Sequence, residues 1–390
     1  MHNPATLKQR AAAELGLPEF GDDPFAGNFA RLIQSLNSDG ERSKQGIALS
    51  EAETLRLLRN RLEVRAWTER HPEILAEPIE RPIFLMGLPR SGTTFLQNLF
   101  DHDEALRLTR TWETLRPCPP PAAEPDSVGP RIEAADRFLN GWRRDVPNFD
   151  ATHLMDVTGP DECAHIMSMA FTQAGFQNYV KVPSYFDWLL AEADFTAAYR
   201  LHKTVLQLLQ FRAPRRRWVL KYPNHMLAVA DIRAVYPDAI CVATHRDPAT
   251  TLASLCALTE QYRAARYDAN DRHALGSEML HFVTAHIDRF MALRDSADGG
   301  NIVDVDYYRL VADPVATVAQ VYERIGMRIP ASVRSRLAAW TEANPKGKRG
   351  RHEYRLADYG LDAQRLGPVF ARYRDRFGVR SESLWDRGPT

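Results

Sequence analysis

The chain of 390 residues carries 50 Lys and Arg against 50 Asp and Glu, with 44% hydrophobic residues and four cysteines. This hydrophobic content supports a sizeable core and excludes wholesale disorder, and a formal charge of zero excludes the broad cationic field of a dedicated nucleic-acid binder. The cysteines show no CxxC spacing and are too sparse for a disulfide scaffold. We therefore expect reduced, mostly buried thiols in a cytoplasmic protein.

Residues 1–80 contain no strand-like runs and predict an α-helical N-terminal extension. Ser50 and Glu53 form a capping-box pattern, Leu55, Leu58 and Leu62 follow at helical spacing, and the helix is predicted to end near His71. The N-terminus lacks the apolar core of a signal peptide, and the longest uncharged stretch, residues 163–180, contains several polar side chains. We expect that stretch to be a buried helix and a turn, and we expect no membrane span.

From residue 81 to residue 390 the pattern changes to that of an α/β domain. Short apolar runs at residues 83–88, 218–220, 239–244 and 302–305 predict strands, and helical patterning separates them. Alternating strands and helices predict a three-layer α/β/α fold with a mostly parallel central sheet. Such sheets bind ligands at the carboxyl ends of their strands, so the residues directly after each run are the candidates for a site.

A glycine-containing loop follows the first predicted strand. Residues 87–94, GLPRSGTT, have the glycine spacing of a Walker A loop and open a helix, which makes the fold P-loop-like. Backbone N–H groups at such a helix N-terminus bind anions. However, Thr93 stands where the Walker lysine belongs, and Arg90 lies within the loop instead. A P-loop kinase or NTPase would lack its main charge partner for the β- and γ-phosphates.

A second motif follows the predicted strand at 239–244. Arg246 ends this run, Asp247 suits the N-cap of the next helix and Pro248 suits its first position. Ser254 lies eight residues after Arg246, on the first two turns of that helix. A guanidinium at a strand end can bind a phosphate through two parallel hydrogen bonds.

The segment PRSGTTF at residues 89–95 resembles the 5′-phosphosulfate loop of sulfotransferases that use 3′-phosphoadenosine 5′-phosphosulfate (PAPS). The resemblance implies that a basic residue, a phosphate cradle and an aromatic residue are matched by Arg90, by Ser91, Gly92, Thr93 and Thr94, and by Phe95. It also implies PAPS as donor, 3′,5′-adenosine bisphosphate (PAP) as product, and no metal.

The same resemblance implies further contacts to the donor. Arg246 and Ser254 match the residues that hold the 3′-phosphate, and Lys221 matches the lysine that touches the sulfonate. Tyr307 matches a tyrosine near the adenine. A basic glycine loop that closes over the 3′-phosphate and the adenine is matched by Lys346, Lys348 and Arg349.

Transfer to a hydroxyl needs a base, and the sequence offers several candidates. Glu113 is preferred, because the protein-tyrosine sulfotransferases combine this type of loop with a downstream glutamate. His225, four residues after Lys221, is the rival. The third alternative is a group predicted to line the acceptor pocket, His153, Glu162 and His165.

The sequence thus predicts a sulfotransferase that acts on a hydroxyl of a small hydrophobic or phenolic molecule. The alternatives from other classes are a P-loop nucleotide kinase or NTPase and a non-catalytic nucleotide sensor. We expect no nucleic-acid partner, and a homodimer is left open.

Overall fold

A computed structural model describes residues 2–146, 149, 155–296, 299–344 and 355–382. Four of the predicted site residues lie outside the described residues. They are His153 of the predicted acceptor pocket and Lys346, Lys348 and Arg349 of the predicted basic loop. Their roles stay predictions.

The first eighty residues form helices α1 (Pro4–Leu15), α2 (Ala26–Ser38) and α3 (Lys44–Arg70), followed by a 3₁₀ turn at Pro72–Ala76. Helix α3 begins earlier than the sequence pattern indicated, because Ser43 is its N-cap and accepts a hydrogen bond from the Gly46 N–H at 3.0 Å. The capping box at Ser50 is therefore wrong. Ser50 lies in the second turn, where its hydroxyl donates to the Gly46 carbonyl at 2.7 Å, the back-bonding that serine adopts inside helices.

The central sheet consists of five parallel strands in the order β2-β3-β1-β4-β5. They are β1 (Ile83–Gly87), β2 (Leu106–Leu108), β3 (Arg217–Lys221), β4 (Ile240–His245) and β5 (Ile302–Asp306). Four of them coincide with the apolar runs of the sequence. Strand β2 was not predicted, because it has only three residues and pairs with a single neighbouring strand, β3.

The helices of the α/β domain lie between and beyond these strands. In chain order they are α4 (Thr93–Phe100), α5 (Thr111–Leu115), α6 (Val128–Asp145), α7 (Ala164–Met169), α8 (Phe176–Tyr179), α9 (Pro183–Glu192), α10 (Phe195–Gln210), α11 (Val229–Val235), α12 (Pro248–Ala264), α13 (Arg272–Asp295), α14 (Tyr307–Ala312), α15 (Pro314–Arg324), α16 (Ala331–Ala343) and α17 (Ala363–Phe377). Short 3₁₀ turns occupy Pro125–Ser127, Pro223–Leu227 and Leu356–Tyr359.

Alternate residues of each strand enter two different apolar clusters. In β1, Phe84 and Met86 pack in one cluster and Ile83 and Leu85 in the other. Side chains of a strand alternate between its faces, so helices cover both sides of the sheet. The predicted three-layer α/β/α fold is confirmed.

The N-terminal extension shares a core with the α/β domain. The cluster that contains Phe84 also contains Leu32 of α2 and Leu57 of α3. The extension therefore buries its apolar side chains against the domain. In the part of the chain that is described, no helix combines the length and the apolar character that crossing a bilayer requires.

Candidate active site

The glycine-containing loop forms a compact connection between β1 and α4. A Cβ atom at Gly87 would lie 2.5 Å from the carbonyl oxygen of Thr244, so only glycine fits there. The Ser91 hydroxyl hydrogen-bonds with that of Thr244 at 2.7 Å and ties the loop to β4. Helix α4 begins at Thr93, so its first N–H groups and its dipole face the loop. Thr94 is exposed.

Phe95, in the first turn of this helix, has its ring centroid 5.8 Å from that of Trp340. The aromatic position of the motif therefore packs α4 against α16. Its contact with a nucleotide stays a prediction.

Parallel pairing brings the predicted donor-binding residues to one edge of the sheet. Gly87 is level with Thr244, and Leu85 is level with Lys221. The carboxyl ends of β1, β3 and β4 therefore meet, and each strand ends at or just before a residue that the motifs singled out. The sequence predicted this convergence from the parallel topology.

Arg90, Arg246 and Ser254 are in direct contact. The Arg90 Nε donates to the Ser254 hydroxyl at 3.1 Å, and the Arg246 Nη1 donates to the Arg90 carbonyl at 3.1 Å. Asp247 caps α12 and accepts a hydrogen bond from the Ala249 N–H at 3.4 Å, as predicted. Two motifs that are more than 150 residues apart thus form one basic site.

Tyr307 completes this site. The Arg246 guanidinium lies 4.4 Å from the centroid of the Tyr307 ring, a cation–π contact. A Cβ atom at Gly92 would come within 2.8 Å of the same ring. The tyrosine therefore packs between the phosphate loop and Arg246.

The Arg246 guanidinium is paired with a carboxylate of the same chain, that of Glu382. Arg246 donates to Glu382 through Nε at 2.8 Å and through Nη2 at 3.2 Å. The Tyr308 hydroxyl donates to the same carboxylate at 3.0 Å, and the Glu382 N–H donates to Asp247 at 3.1 Å. Burial opposes the charge of Arg246, but the contact with Glu382 outweighs it and the pKa of Arg246 is raised. An anion with two oxygens fits this site, and no sequence motif indicated Glu382.

Lys221, at the end of β3, is paired with Glu162. The Lys221 Nζ donates to the Glu162 Oε1, and the lysine side chain is 1% exposed. The Cys163 N–H donates to the Lys221 carbonyl at 2.8 Å, which fixes the segment that carries Glu162 beside the strand. A buried ammonium requires such a partner.

Glu162 and His165 also line a cavity of about 490 Å³, the apolar cavity. The N-terminal extension contributes one part of its wall and the α/β domain another, including Leu32, Leu36, Leu57, Phe138, Trp142, Phe176, Tyr179 and Tyr262. Cavities of this size and lining bind drug-sized apolar ligands. The sequence placed Glu162 and His165 near an acceptor but did not indicate that residues 1–80 line the same space.

His165 is held by charged neighbours. Its Nδ1 lies 3.4 Å from the Arg56 Nη2, and its Nε2 lies 3.9 Å from the Asp161 Oδ2. Burial lowers the pKa of His165 and outweighs the attraction of Asp161. The imidazole is therefore poorly suited to carry a positive charge.

Glu113, the preferred base in the sequence analysis, does not line the apolar cavity. Its Oε1 accepts from Arg107 at 3.0 Å, and its Oε2 accepts from the Arg110 N–H at 3.0 Å. The carboxylate therefore caps α5 and neutralises a largely buried arginine. The geometry does not support Glu113 as the base.

His225 does not line the apolar cavity either. It is fully buried, hydrogen-bonds with the Tyr199 hydroxyl at 2.6 Å and packs against the Phe84 ring at 5.0 Å. Burial lowers the pKa of His225 well below its usual value, with His202 and Lys221 adding to the effect. The geometry places His225 in the core, and a role as the base stays a prediction for this residue.

Comparisons with known proteins agree with these observations. The model of the sulfotransferase family matches residues 82–331 of this chain. The solved sulfotransferase STF9 from Mycobacterium avium is 28% identical, with a TM-score of 0.87 over 98% of each chain. Sulfotransferase STF1 from Mycobacterium tuberculosis H37Rv is 29% identical, with a TM-score of 0.83 over 95% of this chain and 99% of that one. Omega-hydroxy-beta-dihydromenaquinone-9 sulfotransferase Stf3 of Mycobacterium tuberculosis is 23% identical, over 77% of this chain and 76% of its own length.

Proposed function

Because this chain belongs to the sulfotransferase family, we propose that it transfers the sulfuryl group of PAPS to a hydroxyl of a molecule bound in the apolar cavity. The observation that carries the proposal is the position of Glu162. Its carboxylate lines the apolar cavity and pairs with Lys221 at the sheet edge that bears the phosphate loop. One carboxylate thus connects the space for an acceptor with the site for a donor.

On the donor side, the loop of residues 87–94 and the N-terminus of α4 would hold the 5′-phosphosulfate. Arg246 and Ser254 would hold the 3′-phosphate, with Tyr307 near the adenine. The fit of Glu382 on Arg246 supports this assignment, because a carboxylate and a phosphate both offer two oxygens to a guanidinium. The predicted contacts of Lys346, Lys348 and Arg349 would close the same site.

The donor supplies a sulfuryl group bonded to its 5′-phosphate oxygen. Glu162 takes the proton of the acceptor hydroxyl as the new O–S bond forms and the bond to the phosphate oxygen breaks. Lys221 and Arg90 stabilise the negative charge on the leaving oxygen and the moving sulfonate. None of the described residues of this site performs the role of a Walker lysine, and no observation favours a kinase or NTPase.

The acceptor is an alcohol or phenol with a large apolar part. The apolar lining supports this class, and so does the ω-hydroxylated compound in the name of the relative from Mycobacterium tuberculosis. We place the reaction in the cytoplasm, which is supported by four buried cysteines that all remain free thiols.

A chain-length series of primary alcohols tests the acceptor class. With PAPS labelled in the sulfuryl group, kcat/KM should rise about fourfold for each added methylene, because each buried methylene contributes about 0.8 kcal/mol. The rise should stop when the apolar cavity is full. A rate that does not depend on chain length would contradict an apolar acceptor.

Substitution of Glu162 tests the base. Glu162→Gln should lower kcat by about 10²–10⁴-fold while PAP still binds. The matched controls are Glu113→Gln and His225→Asn, which should alter stability more than turnover of the folded enzyme. The result that would contradict this is near-normal turnover by Glu162→Gln together with an inactive Glu113→Gln that still binds PAP. Glu113 would then be the base.

A further inference from the structure

Arg266 is a buried arginine on the wall of the apolar cavity. It lies just after α12 and is only 7% exposed. Its Nη1 donates to the Tyr262 carbonyl at 3.1 Å, and the guanidinium lies 4.7 Å from the centroid of the Trp142 ring. Burial lowers the pKa of Arg266, although Glu53 at longer range opposes this.

Arg266 differs from the other arginines of the cavity wall in having no ion pair within the described residues. Arg56 pairs with Glu53 at 2.6 Å and Arg59 with Glu14 at 2.7 Å. Arg144 pairs with Asp145 at 2.9 Å and Arg137 with Glu133 at 3.9 Å. By contrast, no described carboxylate lies within 4.0 Å of the Arg266 guanidinium.

Most hydrogen-bonding capacity of this guanidinium is unused by the protein. A guanidinium offers five N–H donors. Arg266 makes one hydrogen bond to a described residue, from its Nη1. None of the unused donors belongs to the buried, unpartnered polar atoms of the described residues, so they remain accessible at the cavity wall. They are therefore available to a ligand in the cavity.

The fold does not explain the charge of Arg266. Its backbone carbonyl anchors the start of α3 by accepting from the Ser43 N–H at 3.0 Å and from the Ser43 hydroxyl at 3.2 Å. Any residue offers that carbonyl. An apolar side chain would cover the Trp142 ring without the cost of a buried charge.

Arg266 and Glu162 line the same cavity as a pair of tyrosines, Tyr179 and Tyr262. The rings of Tyr179 and Tyr262 are 5.0 Å apart. Burial raises the pKa of both phenols, Glu162 raises it further, and Arg266 opposes the rise. Because Glu162 and Arg266 both line the apolar cavity, a single ligand bound there can contact a carboxylate and a guanidinium.

We propose that Arg266 binds a carboxylate of the acceptor while the acceptor's hydroxyl lies at Glu162. The substrate class is then a hydroxylated carboxylic acid with an apolar skeleton. The hydroxyl end of this assignment rests on the proposed function. The anion site at Arg266 does not depend on it, because it would bind the carboxylate without any transfer.

Three probes of equal chain length test the proposal: an ω-hydroxy fatty acid, its primary amide and the corresponding methyl-terminated alcohol. The wild-type enzyme should prefer the acid over both neutral probes by about 10- to 100-fold in kcat/KM, the effect of a charge-assisted hydrogen bond. Arg266→Met should remove this preference and Arg266→Lys should retain part of it. Arg137→Met, a matched control on the same wall, should leave it unchanged.

Calorimetric titration of each probe without PAPS separates this inference from the proposed function. Arg266-dependent binding of the acid in this titration, together with no sulfation of any probe in the assay with PAPS, would refute the function and support the anion site. Equal affinity for acid, amide and alcohol would overturn the anion site, and so would an acid preference that survives in Arg266→Met. PAP-induced thermal stabilisation of each variant verifies that it is folded.

Discussion

Glu382 must leave Arg246 before a phosphate can bind to the same guanidinium nitrogens. The carboxylate occupies Nε and Nη2 at 2.8 and 3.2 Å, the bidentate geometry that a phosphate needs. Glu382→Gln removes the negative charge and keeps the shape of the side chain. We therefore expect this variant to bind PAP more tightly than the wild-type protein.

The magnitude follows from the burial of the pair. The side chains of Arg246 and Glu382 are 17% and 20% exposed, so the contact is stronger than an exposed ion pair and weaker than a fully buried one. A contribution of about 1–2 kcal/mol lies between these limits. It corresponds to a dissociation constant for PAP that is about 5- to 30-fold lower in the variant.

Isothermal titration of PAP at constant salt measures this difference directly. Arg246→Ala alone should weaken binding, and adding Glu382→Gln to it should bring no gain, because the carboxylate then has no guanidinium to cover. Tyr308→Phe should give a smaller gain, since it removes one hydrogen bond to Glu382. Unchanged or weaker binding of PAP by Glu382→Gln would refute competition between the carboxylate and the phosphate.

Two further predictions concern stability and acceptor choice. Burial lowers the pKa of His202 to about 3 and that of His286 to about 4. Below about pH 6.5 the unfolded chain binds protons that the native state does not. As the pH is lowered, the free energy of unfolding should therefore fall by about 1.4 kcal/mol per pH unit for each histidine. His202→Gln should reduce the slope by this amount in denaturant titrations, and an unchanged slope would contradict the assignment. Ala164→Leu adds volume to the cavity wall near Glu162. It should lower kcat/KM most for the longest alcohol, whereas an equal loss for all lengths would argue against a common cavity.

The residues proposed to bind the donor could be singled out from the sequence because the motifs that contain them are local. Gly87 and Gly92 adopt backbone conformations that side chains disfavour, so a short motif determines the cradle. Asp247 caps its helix through contacts within a few residues. Parallel pairing then brings Lys221 and Arg246 to the same edge, and this follows from topology without knowledge of side-chain packing.

The acceptor side could not be predicted in the same way, because its roles depend on contacts between distant residues. Glu113 fits the spacing of a catalytic glutamate, but the fold turns it toward Arg107 and a helix N-terminus. His225 follows Lys221 closely in sequence, but its side chain points into the core. Glu162, 59 residues from Lys221, is the carboxylate that reaches the cavity.

Sequence motifs alone determined the family, the fold class and the phosphate loop, since backbone conformation and strand order follow from patterns within single segments. Only the tertiary structure decided which carboxylate meets Lys221, which arginine of the cavity wall has no ion pair among the described residues, and that Glu382 covers Arg246 from 136 residues away. The physical reason is that the charge and proton affinity of a side chain depend on burial and partners, and these are created when distant segments pack together.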